Sequence, residues 1–180
     1  NPPATIYIGG RFMQAGPRTT RRTSELINTV IGAEGTNYGL DWKANLGRGE
    51  SKITNKDSNY LAKDPFFDAI LAGTIDPTVT TNDPAVVDSL KVFPVRKGKS
   101  TVEFLNLQLS GDAVAMPAGP LRYAVGLQFW REKLSDIPDP LTQAGEVFGS
   151  IQQASVEAKR NVKAAFAELS IPVLKNLEGQ

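Results

Sequence analysis

Residues 119–132 read GPLRYAVGLQFWRE: Leu121, Tyr123, Val125, Leu127 and Phe129 are apolar, and Arg122, Ala124, Gly126 and Gln128 stand between them. Side chains on a β-strand point to opposite faces in turn, so the pattern predicts a strand with one apolar face and one face fit for water. The alternating run is as long as the roughly 9 to 11 residues that a strand needs to cross a bilayer. It has the form of one stave of a membrane barrel.

Working outward, the same period recurs. From Thr101, Leu105, Leu107 and Leu109 alternate with Phe104, Asn106, Gln108 and Ser110, and the run ends at Met116-Pro117-Ala118-Gly119-Pro120. So short a connection between two alternating strands predicts an antiparallel hairpin. Leu40, Trp42, Ala44 and Leu46 likewise alternate with Asp41, Lys43, Asn45 and Gly47. Ahead of them, Gly35 to Gly39 has turn composition, and Ile27, Thr29, Ile31 and Ala33 keep a weaker alternation. Thr5 to Phe12 is rich in β-branched and aromatic residues and predicts a short strand before the Gly16-Pro17 turn. A last strand is predicted over Asn161 to Leu174, where Ala167, Leu169, Ile171 and Val173 face away from Glu168, Ser170 and Pro172.

Between these hairpins lie long excursions, at about 54–99 and 133–160, the first with the signals of two short helices. Asp64 and Pro65 precede a stripe of Phe66, Phe67, Ile70 and Leu71 that ends at Gly73, and Asp83 and Pro84 precede Ala85 to Leu90. Asp is a good N-cap, and Pro suits the first helical position. The second excursion carries Pro138 and Pro140 and then a Gln/Ser/Ala-rich stretch. Connections that alternate between very short and very long are typical of outer-membrane barrels.

Composition narrows the chemistry. The 180 residues contain 20 Lys+Arg and 19 Asp+Glu, a net charge of +1, so the chain as a whole has no field that draws in nucleic acid or an anionic membrane surface. It has no Cys and no His, which removes disulfides, thiolate chemistry, the usual zinc ligands and the commonest proton-transfer side chain. No apolar run reaches the length of a membrane helix, and Asn1-Pro2-Pro3 lacks the regions of a signal peptide. A membrane barrel is compatible with this, because its strands alternate.

The blocks Met116 to Gly126, Trp130-Arg131-Glu132, Asp139-Pro140 and Asn161 to Val173 resemble the middle of the barrel in TonB-dependent outer-membrane receptors. The likeness runs from about Arg11 to Glu178 and is sharpest from Ser110 onward. It implies a 22-stranded barrel with an N-terminal plug, which imports scarce solutes such as iron chelates, cobalamin or oligosaccharides with energy relayed by TonB. On this reading the whole chain is a partial barrel domain in the outer membrane of a Gram-negative cell, without plug, TonB-contacting segment or terminal aromatic residue. Five or six strands cannot close around a lumen, for which about eight are needed. The expected partners are outer-membrane lipid, the plug and TonB system of the intact receptor and a small solute. The expected work is transport, without catalytic residues, metal or cofactor, and the open sheet edges invite self-association.

The expected fold is thus mainly β, an antiparallel meander of long hairpins with two short helices in a loop insertion. Leu40, Trp42, Leu46, Leu105, Leu107, Leu109, Tyr123, Val125, Leu127 and Phe129 would face lipid, and Asp41, Lys43, Asn45, Asn106, Gln108, Arg122, Gln128 and Glu168 the lumen. Tyr38, Trp42, Tyr123, Phe129 and Trp130 are candidates for an interfacial girdle. Gly47, Gly49 and Gly126 on the polar face either leave room for a plug or solute or bend the barrel. Arg18, Arg21 and Arg22, and Arg96, Lys97 and Lys99, are the densest positive clusters. Gly98-Lys99-Ser100 lacks the earlier glycine of a phosphate loop, the place being held by Phe93. The pairs Asp64/Asp68 and Asp136/Asp139 are weak candidates for calcium or acid–base work. The alternative architecture is a soluble all-β binding module whose apolar face is covered by a second sheet or by the helices.

Overall fold

The computed structural model describes residues 12–174. The strand expected from Thr5 therefore lies, up to Arg11, outside the described residues. The chain is mainly β, with an antiparallel sheet and short helices.

The strands are β1 (Thr19–Asn37), β2 (Leu40–Ser58), β3 (Tyr60–Leu61), β4 (Lys91–Val92), β5 (Val95–Met116), β6 (Gly119–Ile137) and β7 (Val156–Ser170). The helices are α1 (Lys63–Leu71), α2 (Pro84–Ser89) and α3 (Pro140–Ala144), with a 3-10 turn at Met13–Ala15. Long strands form a five-stranded sheet in the order β1-β2-β5-β6-β7, and β3 pairs with β4 in a separate ribbon. In the described residues β1 and β7 are the margins of that sheet, which does not close.

Two hairpins supply four of its strands, and β7 adds the fifth beside β6. Tyr38 and Gly39 join β1 to β2 with φ of 51° and 77°, the paired left-handed conformation of a tight hairpin turn. Pro117 and Ala118 join β5 to β6. The strands are longer than the alternation suggested. β2 continues beyond Lys52 to Ser58, and β5 begins at Val95 rather than Thr101. In these extensions a single aliphatic residue each, Ile53 and Val95, is followed by polar residues and glycine on both faces, so the period of two is invisible although the ladder continues. The excursions accordingly shrink to 59–94 and 138–155.

The described residues form two compact units, one from residues 12–23 with Ile53–Lys97 and Asp136–Ser155, the other from Ser24–Lys52, Gly98–Ser135 and residues 156–174. The first unit has the buried core, in which Leu61, Phe66, Ile75, Val87 and Leu90 are nearly inaccessible. Phe12 and Phe148 flank Phe66 at ring-centroid distances of 5.1 and 4.8 Å. The second unit is the body of the large sheet, where no large apolar side chain among the described residues is buried.

The helices begin where unpaired backbone donors are satisfied. At α2 the Asp83 carboxylate accepts from the Ala85 N–H at 2.9 Å and Pro84 takes the first position, as the sequence predicts. At α1 the helix starts one residue before the expected Asp64 cap: the Lys63 N–H donates to the Glu146 carbonyl at 2.8 Å, and Asp64 supplies negative charge in the first turn. Of its expected stripe, Phe66 is buried while Leu71 is 85 % exposed. The third helix was not anticipated. Asp139 caps α3 through the Leu141 N–H at 2.9 Å, and Gly145 ends it with a φ of 80°.

Candidate functional site: a two-faced sheet

Contacts across the sheet establish which side chains share a face. The Asn106 amide donates to Asn45 Oδ1 at 3.0 Å, and the Trp130 indole N–H donates to Asn106 Oδ1 at 3.4 Å. Lys43 pairs with Glu34 at 2.8 Å, Arg122 with Asp112 at 3.2 Å and Arg160 with Glu132 at 2.7 Å. Because side chains alternate, these contacts put Asp41, Lys43, Asn45, Asn106, Gln108, Arg122, Gln128 and Glu168 together on one face. All eight residues expected to face a lumen therefore share a side of the sheet.

That face also carries aromatic rings, Phe104 where the alternation set it with Asn106, and Phe166 and Trp130 besides. A β-carbon placed on Gly47 would stand 2.5 Å from Phe104 Cζ, and one on Gly126 would stand 2.5 Å from Phe166 Cζ. Phe104 in turn stacks on Trp130, with ring centroids 5.6 Å apart. A β-carbon on Gly49 would meet Asn28 Oδ1 at 2.7 Å. The space over these glycines is filled by side chains of neighbouring strands, the arrangement in which an aromatic ring covers a strand glycine. Mid-strand glycine was the available signal, but its partners lie far away in sequence.

The opposite face carries the ten residues expected to meet lipid, as parity requires. Trp42 lies over Gly35, and Leu40 beside Gly111, where Tyr123 also approaches. Of the girdle candidates, Trp42, Tyr123 and Phe129 belong to this face and Tyr38 to the β1–β2 turn, whereas Trp130 points to the polar side. On the three central strands the face remains uncovered: Leu107 is 37 % exposed and Leu127 44 % exposed.

Beyond this apolar band, away from the two short turns, the same face becomes ionic. Glu50 is held by Lys52 at 3.0 Å, Lys99 at 3.2 Å and Arg48 at 3.3 Å, and Arg48 also reaches Glu103 at 3.2 Å. Hydrogen bonds from these three cations, that of Lys52 foremost, lower the Glu50 carboxyl from 4.5 to about 2.

The remaining candidates have separate structural partners. In the first unit Arg18 stacks over the Tyr60 ring at 4.4 Å and donates to the Phe148 carbonyl at 3.0 Å. Arg22 donates to Asn55 Oδ1 at 3.0 Å. Arg96 grips Asp136 through two nitrogens and holds that carboxyl below its usual range, while Asp139 caps α3, so the two carboxylates do not act as a pair. Asp64 and Asp68 both belong to α1. Gly98-Lys99-Ser100 lies within β5 rather than in a loop.

No family model matches the chain, and no curated protein matches its sequence.

Proposed function

We propose that the chain is a stretch of the barrel wall of a TonB-dependent outer-membrane receptor, with the apolar face of its sheet against lipid and the polar face toward a water-filled interior. One observation carries this reading: Leu105, Leu107, Val125, Leu127 and Phe129 stand 36 % to 44 % exposed on adjacent central strands, with no second layer over them among the described residues. In water a continuous apolar face costs about 25 cal/mol per Å² left uncovered, and soluble domains bury such faces. Hydrocarbon removes that cost.

Two further features support it. The long strands of 15 to 22 residues exceed the roughly 9 to 11 that a tilted strand needs to cross the bilayer, which leaves length for the ionic zone beyond the apolar band. The margins at β1 and β7 present main-chain groups that lipid cannot satisfy, and a 22-stranded barrel gives each margin a neighbouring strand. The work assigned is uptake of a scarce solute such as an iron chelate, cobalamin or an oligosaccharide. Outer segments and plug capture the solute, and TonB pulls the plug to open a path.

Fractionation of the full-length gene product expressed in a Gram-negative host tests this reading. Recovery with outer membranes after an alkaline carbonate wash, and extraction only with detergent, is the expected result. Recovery in the soluble fraction without detergent would replace the reading with a soluble all-β binding module.

A further inference from the structure

Where the apolar band gives way to charge, four cations have no ion-pair partner among the described residues: Arg131 and Lys133 on β6, and Lys159 and Lys163 on β7. All four have odd numbers on adjacent strands. The Arg160–Glu132 pair, made by even-numbered residues on the opposite face, brings these two segments level with each other. The paired network of Arg48, Glu50 and Lys99 continues the same margin across β2 and β5.

Two grooves meet there. One, of about 690 Å³, is bordered by Leu46, Leu105 and Phe129 on its apolar side and by Arg48, Arg131 and Lys163 on its charged side. The second, of about 570 Å³, is bordered by Arg48, Lys99 and Glu103 together with Lys133, Glu157 and Lys159. Arg48 and Glu103 line both, so an apolar trough and a cationic one adjoin. Glu103 is already neutralised by Arg48 at 3.2 Å, which leaves Glu157 as the carboxylate set against the four free cations. The chain as a whole carries only +1, so the positive excess is a property of this margin.

We propose that this margin is a binding site for a membrane lipid whose phosphate headgroup carries net negative charge, with an acyl chain along Leu46, Leu105 and Phe129 and the phosphate among Arg131, Lys133, Lys159 and Lys163. The inference rests on the barrel reading and adds to it a lipid class and a location. The complementarity is one of charge and polarity together. Cations just outside a hydrocarbon-facing band meet a membrane where its phosphates are, and they gain from anionic lipid what a zwitterionic headgroup does not supply.

The full-length gene product, purified in dodecyl maltoside micelles doped with phosphatidic acid or phosphatidylcholine, provides the test, with retained lipid counted by native mass spectrometry. Wild-type protein should retain phosphatidic acid at least about tenfold better than phosphatidylcholine. The double variants R131Q/K133Q and K159Q/K163Q should each lose most of that preference, and K43Q/R122Q on the opposite face should keep it. Equal retention of the two lipids by wild type, or an unchanged preference in both margin variants, overturns the proposal. Displacement of phosphatidic acid by millimolar inorganic phosphate also overturns it, because the site would then be one for free anions. Detergent-dependent extraction without lipid preference sinks this inference alone, whereas solubility without detergent sinks the barrel reading with it.

Discussion

The ring of Phe104 on β5 occupies the space that a side chain at Gly47 on β2 would need, its Cζ standing 2.5 Å from where a β-carbon would be. The Thr29 carbonyl also borders that space at 3.0 Å and belongs to the backbone, so the ring is the part able to move. G47A should therefore destabilise the sheet by about 1–3 kcal/mol, the usual cost of overpacking. Urea titrations of G47A, F104A and the double variant check this. The pair should be less than additive, since F104A removes the obstacle.

The two faces predict opposite tolerance to charge at neighbouring positions. On the proposed barrel reading, L107R places a cation on the apolar face near the bilayer midplane and should cost a few kcal/mol, whereas Q108R, on the polar face, should be mild. Folding titrations into lipid vesicles measure both. Equal costs would contradict the assignment of the faces.

The Glu50 cluster predicts a pH dependence with a definite sign. The folded carboxyl is lowered from 4.5 to about 2, so the unfolded chain takes up the proton first as acid is added. The stabilisation is complete above about pH 4.5 and is lost as the pH falls toward 2. Carboxyl NMR titration should find the Glu50 midpoint near 2, moving up toward 4.5 in K52M/K99M.

Asp83 and Asp139 do the same job at two helix starts, each accepting an N–H from two residues ahead at 2.9 Å. D83A and D139A should each cost about 1 kcal/mol, the ordinary value of an N-cap. Amide hydrogen exchange should quicken at Ala85 in the first variant and at Leu141 in the second, with β5 and β6 unaffected.

The alternation at 40–46, 104–110 and 121–129 was enough to predict the hairpins and the division of their residues between two faces, because the direction of a strand side chain depends only on its own backbone. Asp83-Pro84 marked its helix for the same local reason. Asp139-Pro140 carries an identical signal, but the helix that follows is only five residues long, too short for an apolar stripe to set it apart from its polar surroundings. Other features were beyond local reading. That Phe104 covers Gly47, that Lys52 and Lys99 share Glu50, and that Arg131 and Lys133 lie level with Lys159 depend on the register between strands joined through long connections. A period of two assigns each residue to a face; only paired strands decide which residue of another strand stands beside it, and therefore where rings fill gaps and where charge gathers.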